Sequence, residues 1–300
     1  MKPLDSGRHV LPVVSVASWF RDHRRDFDSN RYVYAVISRR SRGLSIGINL
    51  NPDKACNFDC VYCQVDRREP AATREVDLHR LREELAGLIE QAASGAIFDH
   101  PRFRSTPAPL RRWNDIAFSG DGEPTAAREF LQAVQLVAEL KRTFGLAGIK
   151  ILLLTNATLL HRPRVQQALE ILDRHDGEIW AKLDAGTPEY YHLIERTQVS
   201  FTRVLDNLKL AARQRPIVIQ SLFLRWQGEA PSDAEIAAYC DRLNEIVGAG
   251  GQIRLVQVYT VARRPAEPQA FPLTDAEVDR LAQQVRQRTG LTVEAYYADH

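Results

Sequence analysis

The chain has 300 residues, of which 44% are hydrophobic and 26% are charged, and its formal net charge is +2. These values are typical of a globular protein with a sizeable core, and they exclude a disordered chain or one that coats nucleic acid with its whole surface. No stretch approaches the ~18 uninterrupted apolar residues of a membrane span, so the sequence predicts no membrane-spanning helix.

Residues 1–43 precede the first predicted strand, and we interpret them as an N-terminal extension. Charged residues interrupt the first thirty positions, so we expect no secretory signal and a cytoplasmic protein. Residues 1–42 hold nine Lys or Arg and four Asp. Arg39, Arg40 and Arg42 at the end of this segment are either a solvated surface or a basic rim that guides an anionic substrate such as RNA.

From residue 44 to residue 300, β-rich runs alternate with helical patterns, which predicts one domain that ends in a helix and a strand. The predicted strands are Leu44–Leu50, Asp115–Ser119, Ile149–Thr155, Glu178–Asp184, Ile217–Leu224 and Ile253–Thr260. The predicted helices are Asp77–Ala93, Ala126–Thr143, Pro163–Asp173, Phe201–Gln214, Ser232–Val247 and Thr274–Thr289. Runs of Val, Ile and Leu with little alternation are typical of parallel strands covered on both faces. The pattern therefore predicts right-handed βαβ units, in a doubly wound sheet or an incomplete (β/α) barrel.

Three cysteines lie in one loop directly after the first predicted strand. Cys56, Cys60 and Cys63 have the spacing C-x3-C-x2-C, which in a reducing compartment indicates metal binding or catalysis rather than disulfides. A [4Fe-4S] cubane normally takes four thiolates, so three would leave one iron open, as in catalytic metal sites. A Cys3His zinc site with His79 is the alternative. We interpret Cys240, in a helical pattern, as a buried apolar residue.

This loop resembles the signature of the radical S-adenosylmethionine (SAM) superfamily, in which an aromatic residue, here Tyr62, precedes the last cysteine. The resemblance implies an α/β fold, a partial (β/α)6 TIM-like barrel, with a [4Fe-4S] cluster on Cys56, Cys60 and Cys63. It also implies that SAM binds the open iron, with Tyr62 near the adenine, and is cleaved to a 5′-deoxyadenosyl radical that acts on an unidentified substrate. Electrons would come from a separate flavodoxin or ferredoxin, because the chain has no room for a flavodoxin domain.

A glycine-rich segment follows the second predicted strand: Gly120-Asp121-Gly122-Glu123-Pro124. Taken alone, it could be an ordinary strand–helix turn, although glycines also let a backbone approach a ligand closely. One βα unit after the cysteine loop, it resembles the superfamily motif that binds the amino group of SAM. Both segments follow strands at their C-terminal ends, where a barrel gathers its active site.

Polar residues also end the later strands. The resemblance places four of them near the ribose and the carboxylate of SAM: Thr155, Asn156, Lys182 and Asp184. Local caps and a Lys–Asp contact are the alternatives. Further candidates on the fifth and sixth strands are Gln220, Ser221, Gln257 and Tyr259, since a polar residue in an apolar strand needs a partner.

Within the superfamily, four stretches resemble a group related to the 4-demethylwyosine synthases, which modify a guanine in tRNA. They are Asn49–Cys63, Phe118–Thr125, Trp180–Ala185 and Val256–Glu267. No cysteine precedes Cys56, so the upstream ligands of that group's second cluster are missing. Modification of tRNA is therefore one alternative, and a peptide substrate, methylation and C–C bond formation stay open. The alternative of another class is a non-catalytic iron–sulfur or zinc-binding module.

Overall fold

The structure is a computed structural model of the chain and describes residues 27–67, 73, 75–263, 265 and 267–298. Most of the predicted N-terminal extension, residues 1–26, lies outside the described residues. Within them, the strands are β1 (Val33–Ser38), β2 (Gly43–Ile48), β3 (Trp113–Phe118), β4 (Lys150–Thr155), β5 (Gly177–Lys182), β6 (Ile217–Leu222), β7 (Leu224–Trp226), β8 (Ile253–Tyr259), β9 (Ala270–Pro272) and β10 (Val293–Tyr296).

Helices follow most of the parallel strands. They are α1 (Leu78–Ser94), α2 (Phe130–Thr143), α3 (Pro163–Asp173), α4 (Pro188–Glu195), α5 (Phe201–Gln214), α6 (Asp233–Gly248) and α7 (Asp275–Thr289). All six predicted strands and all six predicted helices are confirmed, with ends that differ by a few residues at most. Helix α4 was not predicted. None of the described helices combines the length and the apolar character that crossing a bilayer requires.

One sheet contains eight of these strands, in the order β1-β2-β3-β4-β5-β6-β8-β10. From β2 onward every neighbouring pair is parallel, whereas β1 pairs antiparallel with β2. A doubly wound sheet would reverse its strand order in the middle. The order observed here follows the chain throughout, which confirms the partial barrel. Strand β1 lies before residue 44, in the segment interpreted as an extension.

The sheet is curled, so that the β1–β2 turn at one edge contacts β10 and the residue after it at the other edge. In the β1–β2 turn, the Arg39 side chain donates a 2.8 Å hydrogen bond to the carbonyl of Tyr297. Arg42 lies 3.6 Å from the carboxylate of Glu294 in β10. The helices cover the outside of the curl, and apolar side chains around Trp180 fill its inside. The loops that leave the C-terminal ends of the parallel strands therefore meet around one opening.

Glu84 of α1 holds the start of β1. Its carboxylate accepts hydrogen bonds from the backbone N–H groups of Arg31 (2.8 Å), Tyr32 (2.8 Å) and Val33 (3.2 Å). Arg80, one turn earlier on the helix, lies 2.7 Å from the same carboxylate, and the Glu84 side chain is only 7% exposed. Hydrogen bonds to a buried charged group are among the stronger ones in proteins.

We therefore expect Glu84→Gln to lower the free energy of unfolding by about 1–3 kcal/mol, because the amide replaces one acceptor oxygen with a donor that faces backbone N–H groups. Urea denaturation followed by circular dichroism measures the change. Glu83→Gln is the matched control, since the Glu83 side chain is 68% exposed. Equal effects of the two substitutions would show that the Glu84 contacts contribute nothing measurable.

Asp115 is a buried carboxyl group in β3. Burial raises its pKa to about 6, although a hydrogen bond from the Ser45 hydroxyl opposes the shift. The folded-state pKa lies above the ordinary value of 3.8, so the protonated form stabilises the fold. That contribution is complete below pH ~4 and is lost as the pH rises through ~6.

Because folding raises the pKa of Asp115, we expect Asp115→Asn to have a larger free energy of unfolding than the wild type at pH 8, by up to about 3 kcal/mol. The difference should shrink toward pH ~4, below which the wild-type carboxyl is protonated in both states. Thermal and urea unfolding at several pH values measure it. Asp241→Asn, at an exposed carboxyl on α6, is the matched control. A pH-independent difference between wild type and Asp115→Asn would contradict the linkage.

Candidate functional site at the C-terminal ends of the strands

A cavity of about 310 Å³ opens where the parallel strands end. The three loop cysteines all line it: Cys56, Cys60 and Cys63. Further predicted site residues in its wall are Tyr62, Gly120, Gly122, Glu123, Thr155, Asn156 and Lys182. The structure thus brings together side chains from the loops or ends of β2, β3, β4 and β5.

The cysteine loop is attached to the C-terminal end of α4. The N–H of Asp59 donates to the Glu195 carbonyl (3.0 Å), and the N–H of Val61 donates to the Ile194 carbonyl (2.9 Å). The Thr197 hydroxyl, just past the helix, donates to a further main-chain carbonyl of the loop (2.7 Å). These three hydrogen bonds fix the path of the backbone through the middle of the cysteine motif, although the loop has no regular secondary structure.

A buried cluster of ionisable groups lies behind Cys60. The Cys60 thiol donates to a Glu195 carboxylate oxygen (2.6 Å), and the Lys182 ammonium lies 3.5 Å from the same sulfur. Lys182 also lies 3.5 Å from Asp184 and 3.7 Å from Glu195. The Tyr62 hydroxyl donates to Asp184 and, at 3.2 Å, to Glu195.

Burial and mutual charge set the protonation of this cluster. Burial, reinforced by the charge of Glu195, raises the pKa of the Cys60 thiol well above its ordinary value. Burial also raises the pKa of Glu195, to about 8. Burial alone would lower the pKa of Lys182, but the negative charges around it outweigh that effect and raise it. Lys182 therefore stays protonated, and Cys60 must release a proton before it can bind a metal.

Arg67 connects the cysteine loop to the glycine-rich loop. Its guanidinium donates to the Cys63 sulfur (2.9 Å), to the Lys54 carbonyl (3.1 Å) and to the Asp121 carbonyl (3.0 Å). A positive charge beside a cysteine sulfur favours the thiolate, which is the form that binds metal. Arg67 thus places a cation beside Cys63 and joins the two loops.

Glu123 is a buried carboxylate that accepts hydrogen bonds from its surroundings. One oxygen accepts from the hydroxyls of Thr125 (2.5 Å) and Thr155 (2.6 Å), and the other accepts from the Asn156 N–H (2.7 Å). Burial raises the pKa of Glu123, and these hydrogen bonds oppose the rise. The contacts join the glycine-rich loop to the end of β4.

The two glycines of this loop are required by contact between loops. A Cβ on Gly122 would lie 1.9 Å from the carbonyl oxygen of Ala55, in the cysteine loop. A Cβ on Gly120 would lie 2.3 Å from the side-chain oxygen of Asn49. Real Cβ atoms do not approach other atoms this closely, so the packing of the two loops alone explains both glycines.

Four residues that the sequence analysis assigned to SAM do not line the cavity: Pro124, Asp184, Ser221 and Gln257. The proline begins a 3-10 turn. Asp184 accepts from the tyrosine described above. The Ser221 hydroxyl donates to the Leu183 carbonyl (2.6 Å), and Gln257 accepts from Gln220 (2.8 Å). The polar groups of the last three are bonded within the protein.

Two residues that contact the cysteines, Arg67 and Glu195, were not predicted from the sequence. Arg67 lies four positions after Cys63, and no spacing rule marks it. Glu195 ends the unpredicted helix α4, whose start at Thr187-Pro188 was a usable signal, because Thr187 is a typical N-cap before a proline in the first turn. Arg39 and Arg40, interpreted as a possible basic rim, do reach the cavity wall.

The donor set fits an iron–sulfur cubane. Within the described residues, no three His, Cys, Asp or Glu side chains converge on one point as ligands of a single ion would. In a cubane each cysteine binds a different iron, so the sulfurs need only face a common cavity, as Cys56, Cys60 and Cys63 do. His79, the fourth ligand of the zinc alternative, lies on α1 and pairs with Glu83 at 3.6 Å.

Comparison with known sequences supports this description. A family model of the Radical SAM superfamily matches residues 50–230. A protein named GTPase Obg from Brachyspira hyodysenteriae is 25% identical over 253 residues, which cover 82% of this chain and 32% of that protein. A UPF0026 protein of Helicobacter pylori is 31% identical over 139 residues, 46% of this chain and 38% of that protein. A UPF0026 protein of Synechocystis is 28% identical over 166 residues, 55% of this chain and 52% of that protein. The chain therefore spans about a third to a half of the length of these curated relatives.

One solved structure shares the fold, and a second is less similar. SuiB of Streptococcus suis, determined with S-adenosylmethionine bound, has a TM-score of 0.57 at 17% identity, covering 86% of this chain and 52% of that chain. An archaeal TYW1 has a TM-score of 0.47 at 14% identity, covering 82% of this chain and 72% of that chain. At such identities the likeness concerns the arrangement of the elements only.

The contact between loops predicts that Gly122→Ala displaces the cysteine loop and lowers the iron and sulfide that the protein retains after anaerobic reconstitution. Gly87→Ala, on α1, is the matched control, because a Cβ there meets nothing within 4 Å. Iron and acid-labile sulfide per chain measure the effect. Full retention by Gly122→Ala would show that the two loops do not depend on each other.

Proposed function

The chain belongs to the radical SAM superfamily, and on that premise we propose that it cleaves SAM reductively and directs the resulting radical at a substrate in the same cavity. The observation that carries the proposal is that Cys56, Cys60 and Cys63 line one cavity together with the glycine-rich loop and the end of β4. When bound to these cysteines, a [4Fe-4S] cluster would supply the electron that breaks the S–C5′ bond and yields the 5′-deoxyadenosyl radical.

The protein's own charges support such a ligand set. Lys182, 3.5 Å from Cys60, and Arg67, 2.9 Å from Cys63, each place a cation beside a sulfur. Three thiolates in a partly buried loop repel one another, and neighbouring cations reduce that repulsion most where water is excluded. We therefore assign Lys182 and Arg67 to stabilising the thiolates, which revises the role of Lys182 as a partner of the SAM carboxylate.

The wall beyond the cysteines is the proposed SAM site. The glycine-rich loop, Thr155 and Asn156 present backbone and side-chain polar groups there. The hydroxyl of Tyr62 is engaged by Asp184, so the ring of Tyr62 is the part that would face the nucleoside. The Lys182 ammonium lies over one face of that ring, 4.8 Å from its centre.

The proposed reaction also requires an electron donor and a substrate. We propose a separate electron donor of the flavodoxin or ferredoxin type and a reducing, cytoplasmic setting, in which cysteine thiols stay free to bind metal. The substrate class is open between small molecules, peptides and RNA. Modification of tRNA has one observation in its favour, the arginine-rich turn at the cavity.

The proposal predicts that protein reconstituted anaerobically with iron and sulfide produces 5′-deoxyadenosine from SAM and dithionite. Cys60→Ala removes one cysteine ligand and should abolish the product, which liquid chromatography with mass spectrometry measures. Production no greater than that of Cys60→Ala would refute the proposal.

Electron paramagnetic resonance of the reduced protein separates the proposal from the non-catalytic alternative. A SAM-binding cluster should change its spectrum when SAM is added, because SAM occupies the open iron. A spectrum indifferent to SAM, or a protein that retains zinc instead of iron, would favour an electron-carrying or structural module.

A further inference from the structure

Among the described residues that line the cavity, cationic side chains outnumber carboxylates, and the cations fall into two groups. The cationic side chains in the wall are Arg39, Arg40, Arg67, Lys182 and Arg263. Among the described lining residues the carboxylates are Asp121 and Glu123. Two of the cations contact cysteine sulfurs, as described above. The other three belong to a wall made by the β1–β2 turn, the end of β8 and the segment after it, and the proposed reaction gives them no role.

Arg40 is the best defined of these three. Its guanidinium carbon lies 4.9 Å from the centre of the Tyr259 ring, at the end of β8. Among the described residues, no carboxylate forms an ion pair with Arg40, and the group that its guanidinium contacts is Tyr259. The Arg40 guanidinium also hydrogen bonds to the Tyr259 hydroxyl, and its other N–H groups have the geometry that matches the two oxygens of a carboxylate or phosphate. Arg40 is half-buried in the cavity wall, so it can contact a group that enters the cavity.

The turn that carries Arg40 is held in place on both sides. Arg39 donates to the Tyr297 carbonyl (2.8 Å), and Arg42 lies 3.6 Å from Glu294. The Arg112 side chain donates to the Arg42 carbonyl (3.0 Å). A cation that is already fixed before a ligand arrives loses little conformational entropy on binding.

We propose that Arg40, with Arg39 beside it in the same turn, binds a terminal oxyanion, a phosphate or carboxylate, of a small-molecule substrate. The inference rests on the proposed function, because it names the chemistry of the substrate for that reaction. Tyr259 and Tyr296 share this wall and give it aromatic surface that the body of the substrate can contact. The acidic end of the substrate is thereby held by the β1–β2 turn while its remainder extends toward the cysteine side of the cavity.

The test is binding of inorganic phosphate to the full chain at constant ionic strength, followed by ³¹P nuclear magnetic resonance. Wild type should bind phosphate saturably, and Arg40→Gln should weaken binding by about tenfold or more. Arg142→Gln, which removes the same charge from an exposed position on α2, should leave binding unchanged. Arg40→Lys should restore part of the affinity, which shows that the site still folds when the side chain is altered. Displacement of phosphate by malonate distinguishes a site that also accepts carboxylates.

Several outcomes would overturn the inference. These are the absence of saturable phosphate binding by wild type, equal weakening in Arg40→Gln and Arg142→Gln, and phosphate binding that Arg40→Gln leaves intact while it abolishes binding of bulk tRNA. The last result would assign the turn to RNA instead. The measurement needs neither SAM nor iron, so loss of 5′-deoxyadenosine formation and loss of phosphate binding are separate results.

Discussion

The hydrogen bonds between the cysteine loop and the end of helix α4 fix the path of the segment that carries the three cysteines. The loop has no regular structure of its own, and the backbone N–H groups of Asp59 and Val61 donate to carbonyls at the end of that helix. Glu195, the last residue of α4, reaches Cys60 and Tyr62 with its carboxylate. On the other side the loop packs against Gly122, where there is no room for a side chain. The sulfurs are therefore placed by two separate parts of the barrel.

Two kinds of positive charge serve different purposes in one cavity. Lys182 is buried among carboxylates and beside a sulfur, so its charge is balanced locally. Arg40 is stacked on a ring, which is polarisable but carries no net charge, and its field extends into the cavity. The first arrangement suits the holding of a metal centre. The second suits the recognition of a ligand that brings its own negative charge.

Local patterns predicted the parts of the structure that depend on local physics. Buried parallel strands and amphipathic helices have compositions that show in any short window, and so do three cysteines within eight positions. Helix α4 was not predicted because eight residues are too few to show a clear helical periodicity of apolar residues. Strand β1 was not predicted because the charged residues around it suggested an N-terminal extension, although residues 33–37 are apolar. The contact between Cys60 and Glu195 joins residues 135 apart, and only the curl of the sheet creates it. No spacing rule within the sequence could predict this contact.

The hydrogen bond from Arg39 to Tyr297 closes the curl between residues 258 positions apart. Contacts over such separations carry a large chain-entropy cost and come late in folding, after neighbouring strand–helix units have formed. The three cysteines of the loop, by contrast, lie within the first 63 residues, beside strands that pair with their immediate neighbours. The three loop cysteines can therefore come together while the side of the barrel next to the last strand is still open.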